Sequence, residues 1–150
     1  MKEDPQNISI YLSTLATINA SKAEEEGKVF VKNLIEKKDE KSLIGAESII
    51  RYILKDSKKA DSLSSVILEK YPYGKLAKNK LVSKFFKEAN EATTESDQNI
   101  LMQYVSDFKN KYPKDIFDDQ MSDQMNAVIL NKIVADENWS KIDDFTNNFN

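Results

Sequence analysis

The chain has no cysteine and no histidine among its 150 residues. These absences remove the thiol nucleophile, the commonest general base and the commonest metal ligand, and serine triads built on an imidazole go with them. Glycine and proline are nearly as scarce, with three of each. A multi-stranded sheet protein needs a turn signal about every 8 to 12 residues, so punctuation this sparse points to helices. Gly27, Gly45 and Gly74 lie far apart and form no phosphate-cradling loop. No apolar run approaches the roughly 18 residues of a membrane span. The start, MKEDPQ, lacks the apolar stretch of a secretory signal. A polar start of this kind is also what remains once a targeting segment has been removed, and it is read that way here.

What is present fits a folded domain. Apolar residues make up 40% and charged residues 31%, which suits neither a disordered chain nor a membrane protein. The length suits a single domain over 1–150, able to bury roughly 70% of its unfolded surface without cross-links.

Hydrophobic spacing supplies the elements. Ile8, Tyr11, Leu12, Leu15 and Ile18 recur at three and four, as on one face of a helix, although the alternation of Ile8 and Ile10 leaves a strand open there. Val29, Phe30, Leu34 and Ile35 mark a second element, with Gly27 as the expected separator. Leu43, Ala46, Ile50, Ile53 and Leu54 make a third helix to about Lys55, with Asp39 and Ser42 as candidate caps. Residues 1–55 are thus read as N-terminal helices.

Beyond them the pattern becomes regular. Ala60, Leu63, Val66, Ile67 and Tyr71 stripe one helix, Pro72 stops it, and Gly74 is expected to let the chain reverse. Leu76, Ala77, Leu81, Phe85 and Ala89 stripe the next. The same grammar returns 41 residues later around Tyr112-Pro113, with Phe117, Met121, Met125, Val128 and Ile129 following. A third copy starts at DFTNNFN, where Asp144, Phe145 and Asn147 match Asp107, Phe108 and Asn110 of DFKNKYP, offset by 37 residues. This period predicts helical-hairpin repeats over 56–150 with the last one incomplete, so that Trp139, Ile142, Phe145 and Phe149 lack part of their partner surface and the natural protein is expected to continue. The expected fold is all-α, an irregular stack of hairpins with seven or eight helices.

The stretches SSVILEKYPYGKLAKNKL and YVSDFKNKYPKDIFDDQM share an order of apolar helix, Tyr-Pro, turn and second helix. In this they resemble the tetratricopeptide-like helical region of secreted or periplasmic bacterial proteins that also carry a thioredoxin-like domain. The resemblance covers about Asp56 to Asn150. It implies a periplasmic or secreted location and oxidoreductase chemistry seated in a Cys-X-X-Cys pair of another domain. No catalytic residue carries over to this chain, which has no cysteine.

Charge is unevenly laid out. Residues 51–87 hold ten basic against three acidic residues, and 88–150 hold five against thirteen. Such a layout orients a partner through complementary potential or pairs the two halves within the fold. Lys80, Lys84 and Lys87 share one helical stripe. An acidic total and a single arginine, Arg51, argue against nucleic acid. The acidic run Asp115, Asp118, Asp119 and Asp123 lacks the glycine and terminal glutamate of a calcium loop, and Asp115 is read as a helix cap after Pro113. Glu24, Glu25 and Glu26 are the carboxylates available to a hydrolase or lyase, which would require a buried pair with a raised pKa.

The sequence therefore predicts a non-catalytic interaction or spacer module attached to a thioredoxin-like domain, with a free-standing protein-binding or oligomerisation scaffold as the alternative. No cofactor, metal, nucleic acid or membrane span is expected. The partner is a protein or a neighbouring domain of the same chain, met through Tyr73, Lys80, Lys84, Lys87 and Trp139.

Overall fold

A computed structural model describes residues 4–92 and 94–147, apart from the side chains of Glu95, Ser96 and Asp144. Phe149, one of the residues expected to lack a partner surface, lies outside them. The fold is all-α. The described residues form eight helices: α1 (Pro5–Ile18), α2 (Ala20–Lys37), α3 (Glu40–Tyr52), α4 (Ser57–Lys70), α5 (Lys75–Glu91), α6 (Glu95–Lys111), α7 (Asp119–Ala135) and α8 (Ser140–Asn147). The open choice at Ile8 and Ile10 is settled as helix.

Short polar side chains start most of these helices by accepting otherwise unpaired backbone N–H groups. Asp4 accepts from Gln6, Asn19 from Lys22, Asp39 from Ser42, Asp56 from Lys59 and Asp118 from Met121. Thr94 and Asp97 form a reciprocal capping box at α6. Two sequence expectations are corrected here. Ser42 lies inside α3 as the donor to Asp39, and the cap after Pro113 is Asp118 rather than Asp115. The Ile116 and Phe117 N–H groups both bond back to the Pro113 carbonyl at 2.9 Å, so a short turn occupies the place where Asp115 was expected to start a helix.

The chain forms two compact units, Met1–Pro72 and Tyr73–Asn150. In the first, α1 to α4 surround a core containing Ile8, Leu12, Val31, Leu34, Ala46, Ile49, Ile50 and Ala60. Gly27 does not separate two elements, as the sequence suggested. It lies buried within α2, where a Cβ would stand 3.2 Å from Leu54 Cδ2 and 3.5 Å from Ile49 and Ile53 methyls. The missing side chain lets the third helix approach, and the break falls at Asn19. Gly45 has the same role on α3, since a Cβ there would collide with the Pro5 ring.

One polar network ties α3 to α4. Buried Glu47 accepts from Arg51 Nε at 2.7 Å and from the Ser64 hydroxyl at 3.2 Å, while Arg51 Nη2 also reaches Asp61 at 2.7 Å. The single arginine is thus held by two carboxylates. At the far end of α4, the Tyr71 hydroxyl and Lys70 ammonium both donate to the Lys38 carbonyl, at 2.7 and 2.8 Å. Lys38 itself caps α2 in the left-handed region, at φ 59°.

In the second unit α6 packs against α5 and α7, and α8 returns onto α7. Phe85, Leu101, Val105, Phe108, Phe117, Met125, Ile129, Ile133 and Phe145 are buried. Gln98, 1% exposed, donates to Asp136 at 2.7 Å and accepts from Asn138 at 3.3 Å, joining the start of α6 to the turn between α7 and α8. Both Tyr-Pro pairs end a helix. Tyr71 and Tyr112 each donate a backbone N–H four residues back, to Ile67 and Phe108. Gly74 shows no left-handed turn; at φ −87° and ψ −173° it is the extended N-cap of α5.

Candidate partner-binding face

The residues singled out as partner contacts all belong to the second unit. Lys80, Lys84 and Lys87 lie on α5 with their side chains in solvent. Alanines at 77 and 89 and Phe85 occupy the buried side of the same helix, which is why the lysines fall outside. Tyr73 precedes α5 and is 55% exposed; Trp139, in the turn before α8, is 59% exposed.

The fold joins two of these residues through an aromatic series. Tyr73 meets Tyr112 edge-on with ring centres 6.0 Å apart, Tyr112 meets Phe108 at 6.2 Å, and Phe108 stacks on Tyr104 at 6.0 Å. The Lys84 ammonium then sits 5.6 Å from the Tyr104 ring centre and 3.6 Å from Glu88. The pKa of Lys84 is raised, first by hydrogen bonding to the Tyr104 phenol, then by the charge of Tyr104 and by Glu88. Burial raises the Tyr112 phenol, with Tyr73 a further cause. Tyr73 and Lys84 are therefore exposed yet braced, whereas among the described residues no ring contact links Trp139 to the series.

Two clefts were not anticipated. Between the end of α5 and the start of α6 lies a cleft of about 320 Å³, lined by Glu88, Asp97, Ile100, Leu101 and Tyr104. A second, also about 320 Å³, is lined by Asn99, Gln103, Ser106 and Asn110 of α6, with Asn126 and Phe145 opposite. The four α6 residues stand at i, i+4, i+7 and i+11, a helical stripe visible in the sequence that a search for catalytic groups passes over. Asn126 is buried and its amide donates to the Ser122 hydroxyl at 3.4 Å.

The other candidates are placed as follows. Among the described residues no group of three or more His, Cys, Asp or Glu is arranged to hold a metal ion, and Asp118 of the acidic run is occupied as a cap. Glu24 is exposed and its carboxyl is held below the usual range by Lys28, 2.7 Å away. A general acid needs the opposite shift. No described helix is long and apolar enough to cross a membrane. Comparison with family models, with curated proteins and with solved structures finds no match for this chain.

Proposed function

We propose that the chain is a non-catalytic, tetratricopeptide-like interaction or spacer module that docks a thioredoxin-like oxidoreductase domain through the α5 face, in a periplasmic or secreted protein. The supporting observation is that Tyr73 and Lys84 are exposed while each also contacts a ring of the same unit, Tyr112 and Tyr104 respectively. Side chains held by neighbours before contact lose less conformational entropy on binding, and tyrosine is among the usual anchors of an interface. The three lysines favour an acidic surface on the partner. The chain's lack of cysteine and histidine agrees with turnover residing elsewhere.

The test is insulin-disulfide reduction by the 150-residue chain and by the full gene product. The chain is expected to be inactive, and the product active through a Cys-X-X-Cys pair outside these residues. A product without such a pair would remove the thioredoxin-like partner from the proposal.

A further inference from the structure

The cleft of about 320 Å³ beside α6 is polar without being charged. Four amides and a hydroxyl line it, and Lys109 is the only charged residue among its lining, although the chain as a whole is 31% charged. Most of these groups are unused within the fold. Among the described residues, the side chains of Asn99, Ser106 and Asn110 have no hydrogen-bond partner. Gln103 donates its amide N–H to Asp107 at 2.9 Å, which orients the side chain and leaves its carbonyl oxygen free. Asn126, facing them, is only 8% exposed. One end of its amide meets the Ser122 hydroxyl at 3.4 Å, and the other end has no partner. Leaving a buried polar atom unpaired is costly, and no side-chain nitrogen or oxygen among the described residues is both buried and unpaired. The free end of Asn126 therefore opens to the surface, and the cleft it lines is the opening.

We infer that this cleft binds a neutral saccharide of disaccharide size, whose hydroxyls pair with the α6 stripe and with Asn126. A sugar hydroxyl both donates and accepts, as the amide and hydroxyl side chains here together do, so the two surfaces match group for group. The volume lies at the small end of ligand sites, about 300 to 1,000 Å³. A carboxylate or phosphate would bring charge that Lys109 alone would meet. An extended peptide fits less well. Asn99, Gln103, Ser106 and Asn110 span about 16.5 Å along α6 at 1.5 Å per residue, a mean step of about 5.5 Å. A strand-like peptide repeats the groups on one side about every 6.6 Å, so it runs out of register before the far end of the stripe. The shorter step is close to the advance of one pyranose unit along a glycan. Side chains of such a peptide would also find no apolar pocket, because Val105 and Phe145 are buried and Met102 is half-buried.

The test is NMR of the 150-residue chain titrated with maltose, cellobiose, lactose and N,N′-diacetylchitobiose, with end-blocked tetra-alanine as the peptide control. At least one disaccharide is expected to move the side-chain amide signals of Asn99, Asn110 and Asn126 together, with a Kd of about 1 to 10 mM. Ser106→Ala and Asn110→Ala change exposed positions, so they should leave the helical circular dichroism intact while each weakens binding about three- to tenfold. Asn126→Leu keeps the side-chain volume but removes both amide atoms, and should weaken binding by about tenfold or more. If that buried change disturbs the fold, the two exposed variants decide. No response to any of the four sugars would overturn the proposal. So would responses that Ser106→Ala and Asn110→Ala leave unaltered, or tetra-alanine moving the same signals at lower concentration than the sugars. Lys84→Glu, which probes the α5 face, should leave sugar binding unchanged, so this site and the docking face can fail separately.

Discussion

Phe108 shows how much one side chain does in the second unit. It is 5% exposed and touches the rings of Tyr104, Tyr112 and Phe117, the last with ring centres 5.6 Å apart. Phe108→Ala removes the middle of that series and should cost about 3 to 5 kcal/mol. Lys84→Ala, trimming an exposed residue, should cost far less. Urea denaturation of both variants checks this, and equal shifts would contradict the assignment of faces. In the first unit, Glu47→Ala leaves Arg51 with only the exposed Asp61 and the buried Ser64 hydroxyl without its acceptor, so its midpoint should fall further than that of Asp61→Ala. Burial of Phe108 was legible in the sequence, where Tyr104, Val105, Phe108 and Tyr112 stand at helical spacing before Pro113. The duty of Arg51 was not, because Asp61 reaches it, and Ser64 reaches its partner Glu47, only through the packing of α4 on α3.

Helix boundaries were read best where a backbone rule acts alone. Proline disfavours helix in the residue before it, so Tyr71 and Tyr112 were recognisable as ends. Gly27 was misread because its value lies in the neighbours a Cβ would meet, and Leu54 is distant in sequence. Asp115 and Asp118 offer the same capping oxygen, and only the turn after Pro113 chooses between them. Gly45 carries a prediction of its own: Gly45→Ala should lower stability by about 1 to 3 kcal/mol despite alanine's better helix propensity, because the new methyl meets the Pro5 ring. An unchanged or raised urea midpoint would contradict the contact. Acid should weaken α3 at its cap. The Ser42 hydroxyl and then the Ser42 N–H hold the Asp39 carboxyl below its ordinary value. A lowered folded pKa gives stability that is present above the unfolded value, about 3.9, and lost as pH falls through the folded one. The difference in melting temperature between the native chain and Asp39→Asn should therefore narrow between about pH 5 and pH 2, and a constant difference would contradict the cap.

Across the whole chain, charge separates in a way that the position of Pro72 clarifies. Residues 1–72 hold twelve basic and twelve acidic residues, whereas 73–150 hold ten against thirteen. Of the ten basic residues of 51–87, five fall in the first unit, among its balanced charges, and five on α5 of the second, where they are followed by the acidic helices α6 to α8. The all-α class was legible from scarce glycine and proline and from apolar residues spaced three and four apart. The aromatic bracing of Tyr73 and Lys84 was not, since it depends on ring positions that no spacing rule gives. Trp139, the only tryptophan, should be readily quenched by acrylamide, and a protected, blue-shifted emission would contradict its exposure. The proposed docking through α5 is tested most directly by amide NMR of the chain titrated with the thioredoxin-like domain that the proposal attaches to it, in native and Lys80→Glu, Lys84→Glu, Lys87→Glu form. Shift changes should concentrate at Tyr73 and along Lys75–Glu91 and should vanish in the triple variant; shifts centred elsewhere, or unaltered by the charge reversal, would contradict it.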